Sequence, residues 1–205
     1  LMEQATSQVN WRPHNLAKRP GQMRLWSHQA IARGSAGAMF FQWRASKAGS
    51  EKFHSAMVPH AGTDSRTWRE VVALGQELKG LGALLPARVQ ASVAIVFHWE
   101  SWWALELDSK PSADVRLLDQ VRAYYDPLFA RNVTVDFVPP DAELGGYRLV
   151  LVPNLYLVRD AAAQALERYV AEGGTLVMSF FSGIVDEHEH IRLGGYPAPF
   201  RALLG

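Results

Sequence analysis

Apolar positions along this chain follow two periods. Between Pro20 and Gly34, Met23, Trp26 and Ala30 recur at helical spacing, which predicts a helix with proline at its start and glycine at its end. "GAMFFQWRAS" is a short apolar run bounded by Gly37 and Ser46, and it reads as a buried strand. The long polar stretch "SKAGSEKFHSAMVPHAGTD" reads as a loop of the length that carries function in compact domains. Asp64 is placed to cap a helix through Trp68, Val71, Val72 and Leu78, ending near Gly80 or Gly82. Residues 1 to about 82 thus give strand end, helix, strand, loop and helix, the rhythm of the last two units of a larger α/β array.

After "LLPARV" the rhythm restarts. "SVAIVF" is a continuous apolar strand, Ser112 is placed to cap a helix carrying Val115, Leu118, Val121, Tyr125 and Phe129, and "VTVDFV" is the next strand. "YRLVLVP" gives another, Asp160 begins a helix through Ala163, Leu166, Tyr169 and Val170, and Gly173 and Gly174 stop it before "TLVMSFF". "PAPFRALLG" looks like the start of a further helix. Apolar runs without alternation, separated by helices, predict a parallel sheet covered on both faces. The second half therefore reads as an open, doubly wound α/β domain from about residue 88 to 205.

Composition narrows the classes. The 205 residues are 48% hydrophobic and 20% charged, as expected of a globular chain with a real core. No run approaches the roughly 18 apolar residues of a membrane span, and the first residues lack a signal-peptide pattern, so no membrane partner is expected. The absence of cysteine excludes disulfides, thiolate metal sites and a cysteine nucleophile. Residues 1 to 62 hold eight Lys/Arg against two acids, but these cations are scattered among Trp, Pro and His, and no nucleic-acid partner is expected.

Four places could carry chemistry. Glu3 reads either as a solvated glutamate or, if "LME" ends a barrel strand, as a carboxylate at the mouth where barrel enzymes keep their catalytic groups. Trp11, Trp43, Glu51 and His54 form a second set, with Glu51 and His54 spaced for one face of a helical turn. An indole platform with a carboxylate and an imidazole suits a sugar, and aromatics in a core are the plainer reading. "DEHEH" at Asp186 to His190 alternates carboxylate and imidazole as metal ligands do, but reads more simply as a solvated loop, and no metal is expected. "FHWESWW" follows the first strand of the second half, at the end where doubly wound sheets bind ligands. No Gly-rich phosphate loop accompanies it, so packing at a subunit or domain contact is the favoured use, and no G-x-S-x-G elbow supports a serine hydrolase.

Taken together, "MEQATSQVNW" and "GAMFFQWRASKAGSEKFHSAMVPHAG", with the spacing between them, closely resemble the glycoside hydrolase family 42 β-galactosidases. The resemblance extends over essentially all 205 residues. It implies that residues 1–85 are the last two units of a (β/α)₈ TIM barrel. Residues 88–205 would be a doubly wound, flavodoxin-like oligomerisation domain similar to class I glutamine amidotransferases but without their cysteine. By resemblance, Glu3 of "MEQ" is the catalytic nucleophile, Trp11 of "VNW" lines the galactose pocket, and Glu51 and His54 of "SEKFH" hydrogen-bond sugar hydroxyls.

The implied reaction is retaining hydrolysis of a β-galactoside, with no cofactor, in a homotrimer expected in the cytoplasm. The acid/base glutamate and six barrel units lie upstream in the family pattern and are not in this sequence, since a full barrel needs roughly 250 residues. The expectation is a piece of a longer enzyme, inactive alone. The competing expectation is a non-catalytic oligomerisation module, and an amidotransferase is excluded with the missing cysteine.

Overall fold

The computed structural model describes Leu1–Gly205. Its contacts divide the chain into two compact units, Leu1–Val89 and Gln90–Gly205.

In the first unit, strand β1 (Gln4–Ala5) lies parallel to β2 (Phe40–Phe41), with Gln4 opposite Phe40. The pairing reaches back beyond Glu3, because Met39 N–H donates to the Leu1 carbonyl at 3.0 Å. Helix α1 (Gln22–Ala32) crosses between the strands, entered through Gly21 at φ 76° and left through Gly34 at φ 97°, a region that L side chains resist. It buries Met23 fully and leaves Trp26 half exposed. Helix α2 (Arg66–Gly80) packs Val71 and Leu74 onto Met23, flanked by Phe40, Met57, Trp68 and Leu78.

Two details differ from the sequence reading here. The cap of α2 is Ser65, whose hydroxyl accepts from Trp68 N–H at 3.3 Å, while Asp64 pairs with Arg69 at 2.9 Å. Aspartate and serine are both good caps, and the extended backbone of Ser65 (φ −140°, ψ 153°) gives the place to the residue after the expected Asp64. The long loop also returns to the sheet. Met57 and Val58 N–H donate to the Gln42 and Trp43 carbonyls at 2.8 Å, and Ala45 N–H donates back to Val58. The small apolar run Ala56–Val58 is what the return buries.

The second unit holds strands β3 (Val93–Val96), β4 (Val135–Val138), β5 (Leu149–Val152) and β6 (Thr175–Met178). They form one parallel sheet in the order β4-β3-β5-β6. Helix α3 (Trp99–Leu105) follows β3, α4 (Leu117–Ala130) leads to β4, α5 (Asp160–Ala171) lies between β5 and β6, and α6 (Arg201–Leu204) closes the chain.

Side chains alternate across the pleat. Ala94, Val96, Val150 and Val152 join Ala163, Leu166 and Tyr169 of α5 in one core, with Phe200 from the segment before α6. Val93, Ile95 and Leu151 face the opposite way, onto Tyr124, Tyr125 and Leu128 of α4. The central strands β3 and β5 are covered on both faces, which is why these two are apolar throughout, whereas the outer strands β4 and β6 carry Asp136 and Thr175.

Helix α4 starts later than expected. Ser112 accepts from Asp114 N–H at 3.1 Å in a local turn, and Arg116 precedes the helix without a side-chain cap. Leu117 and Val121 are its buried residues, whereas Leu118 and Phe129 are exposed. The turn at Gly173 and Gly174 ends α5 as expected, and a Cβ on Gly174 would meet the Tyr169 ring at 2.3 Å.

Candidate active site

The segment after β1 is held against the returning loop by side-chain bonds. Thr6 Oγ1 donates to the Ala56 carbonyl at 2.9 Å, Ser7 N–H to Ser55 Oγ at 2.9 Å, and Ser55 N–H to the Gln8 carbonyl at 2.9 Å. Gln4 Nε2 is anchored on α1 by a buried 2.8 Å bond to Ser27 Oγ. These contacts bring Trp11 and His54, 43 residues apart in sequence, to 4.9 Å between ring centroids. Phe41 packs edge-on to the same imidazole at 5.0 Å.

His54 is 2% exposed. Its Nδ1 lies 2.7 Å from the Ser55 carbonyl, which can only accept, so Nδ1 carries the proton in this contact. Nε2 is buried without a protein partner. In the neutral ring it is therefore an acceptor, and a buried unsatisfied acceptor costs about 1–3 kcal/mol unless a ligand group or water meets it. Trp11 is 60% exposed and offers its other face.

The remaining residues stand apart from this pair. Glu51 and His54 share one turn, in which His54 N–H donates to the Glu51 carbonyl at 2.9 Å. Glu51 is exposed while His54 is buried, so their side chains do not present the common face that the spacing suggested. Trp43 leaves the group and packs edge-on to Trp68 at 5.9 Å. Glu3 is exposed and lines a cleft of about 810 Å³ together with Arg12, His14 and Lys18. It makes no hydrogen bond or ring contact with Trp11, Glu51 or His54.

Sequence reasoning passed over Lys18 and Phe41. The Lys18 ammonium donates to the Ala5 carbonyl and lies 4.6 Å from the Trp26 ring centroid. Partial burial lowers its pKa from the ordinary lysine value. No motif announced it. Phe41 was visible only as part of an aromatic strand.

In the second unit, Asp186 organises "DEHEH" as a loop, accepting from His188 and His190 N–H at 2.9 and 3.0 Å. Those backbone bonds lower the pKa of its carboxyl, and no three ligating side chains converge there. "FHWESWW" follows the end of β3 and forms most of α3. His98 lies between Glu100 (3.0 Å) and Ser101 Oγ (3.0 Å), a serine, histidine and carboxylate in hydrogen-bonding order. It is not a nucleophilic site, because Ser101 is fully buried and its oxygen is engaged by both the N–H and the carbonyl of Leu157. Burial lowers the pKa of His98.

Comparison with known proteins follows this division. Residues 91–205 match a family model described as a β-galactosidase trimerisation domain, and residues 1–81 match one described as β-galactosidase. The chain is 56% identical over its whole length to β-galactosidase BgaB of Geobacillus sp. (strain Y412MC61) and 57% identical to a β-galactosidase of Arthrobacter sp.. It spans 31% and 30% of those two proteins. Among solved structures, a β-galactosidase from Bacillus circulans sp. alkalophilus superposes with a TM-score of 0.93 at 46% identity, covering 100% of this chain and 31% of that one. One from the Antarctic haloarchaeon Halorubrum lacusprofundi gives 0.84 at 34% identity, covering 100% and 30%. With one family model covering more than half of its residues and the other most of the remainder, the chain belongs to the glycoside hydrolase family 42 β-galactosidases.

Proposed function

We propose that this chain is part of a retaining β-galactosidase that removes terminal galactosyl groups, with Glu3 as nucleophile. The observation that carries the reading is the buried His54, with an unengaged acceptor nitrogen beside the open face of Trp11, in a chain of this family. An apolar ring face and a directed acceptor are what a galactose ring needs. Glu51 supplies a second acceptor for hydroxyls.

In the reaction, a Glu3 carboxylate oxygen bonds to the anomeric carbon as the bond to the leaving oxygen breaks. A second carboxylic acid, supplied by barrel residues outside this sequence and about 5 Å from Glu3, protonates the leaving oxygen. It then takes a proton from the water that releases galactose and regenerates Glu3. The transition state resembles an oxocarbenium ion, and the anionic carboxylate stabilises it as well as attacking. His54 and Glu51 fix the hydroxyls, and bonds that tighten as charge develops contribute to kcat.

In this reading Leu1–Val89 is the end of a (β/α)₈ barrel. The four-stranded parallel unit is a flavodoxin-like domain of the class I glutamine amidotransferase type and assembles the protein as a homotrimer, which the description of its matching family supports. The test is the full-length enzyme with Glu3→Gln. Turnover of a chromogenic β-galactoside should fall by several orders of magnitude while the unfolding transition is unchanged. Turnover at the unsubstituted level would overturn the assignment.

A further inference from the structure

Three of the seven tryptophans lie within five residues on α3, and the unit uses only one of them internally. Trp102 packs toward the core of Leu105 and Leu117, and its indole N–H donates to Glu106 at 2.9 Å. Trp99 and Trp103, one helical turn apart, are 54% and 60% exposed, and Leu107, just beyond the helix end, is 53% exposed. The rings are not loose. Trp99 rests edge-on to Phe97 at 5.1 Å and tilted on Trp102 at 5.4 Å, with Trp103 at 6.3 Å. The helix beneath is fixed by fully buried Ser101, bonded to Leu157, and by Leu105. Glu100, Glu106 and Asp108 surround the patch.

A rigid aromatic centre within a charged rim has the make-up of a protein interface, and ordering its side chains costs little when a partner arrives. The partner chemistry is indicated by where the patch lies, since all of α3 falls inside the residues that match a trimerisation domain. We propose that the Trp99–Trp103 face of α3 is buried against a second copy of this chain. The inference rests on the homotrimer reading above and names the surface that makes it. A ring of three closes through heterologous contacts, so this face meets a different surface of the next copy and not its own counterpart.

Sedimentation velocity of the full-length protein, unsubstituted and as the Trp99→Ser/Trp103→Ser variant, tests this. The unsubstituted protein should sediment as a trimer, and the variant should dissociate, with a dissociation constant raised at least about a hundredfold, as for loss of two interface tryptophans. A variant that remains trimeric over the same concentrations overturns the inference. If the double variant precipitates, Trp103→Arg replaces it at a position where a long cation is accommodated in solvent. An expected weakening of at least about tenfold then supports the interface, and unaltered trimer overturns it. An unsubstituted protein that is monomeric overturns the trimer reading itself, a result distinct from a persistent trimer in the variant.

Discussion

Leu1–Val89 and Gln90–Gly205 are built from the same alternation of short parallel strands and helices, yet they are held together differently. The central cluster of the first unit has three buried apolar residues, Met23, Val71 and Leu74, and its β1 segment is tied to α1 and to the returning loop by bonds such as Gln4–Ser27 and Thr6–Ala56. The largest cluster of the second unit has thirteen, drawn from sheet, α5 and the segment before α6. A typical intramolecular hydrogen bond is worth a net of about 1 kcal/mol, and fully burying one large aliphatic side chain about 1.5–3 kcal/mol. The first unit has therefore put its residues into directed polar geometry around the candidate site. The second has put them into a core.

The comparison can be broken most severely at the chemistry. His54→Ala in the full-length enzyme should raise KM and lower kcat together, cutting kcat/KM on the order of a hundredfold or more, because a buried acceptor for a hydroxyl disappears. Steady-state kinetics on a galactoside checks this, and an unchanged kcat/KM would place the sugar elsewhere. Leu166→Ala, at a fully buried position in the second unit, should cost about 2–5 kcal/mol in urea unfolding and leave the first unit's transition where it was. Ser65→Ala removes the cap of α2 and should cost about 1 kcal/mol, visible only in the first unit's transition.

A pH titration of unfolding gives the smallest and most selective effect. His98 has a lowered pKa, mainly through burial, opposed by Glu100, so the unfolded chain binds its proton more readily. Its contribution is intact above the unfolded value of 6.5 and is lost as pH falls from there toward the folded value. Glu77 has a lowered pKa through hydrogen bonds from His28 and Arg24. Its contribution holds above 4.5 and is lost only as pH falls below that toward its folded value. The second unit should thus begin to weaken at a higher pH than the α1–α2 pair. A His98→Asn variant whose second transition kept the same dependence between pH 5 and 7 would contradict this.

Much of the architecture was legible because it rests on local chemistry. "SVAIVF" and "YRLVLVP" could hardly be anything but central strands, and paired glycines after Val170 and Ala171 mark a helix end whatever surrounds them. Caps were less legible. Asp64 and Ser65 offer the same acceptor at adjacent positions, and the choice depends on the backbone angle at which the chain enters α2. The site divided in the same way. Trp11, Glu51 and His54 were found as residue types that suit a sugar, while the departure of Trp43 to Trp68 and the approach of Phe41 to His54 depend on the long loop's return along Gln42–Ala45.

The sequence by itself determined the order of strands and helices, the apolar faces of the central strands, the exclusion of thiol chemistry and the presence of residue types that suit a sugar, because periodicity and composition are properties of neighbours along the chain. Only the tertiary structure decided that His54 would be buried with one nitrogen given to Ser55 and the other left open, that Trp11 would cover it, and that Trp99 and Trp103 would face outward while Trp102 turned in. Those outcomes depend on packing between segments tens of residues apart, where burial and hydrogen-bond satisfaction must be met together and no local pattern records the result.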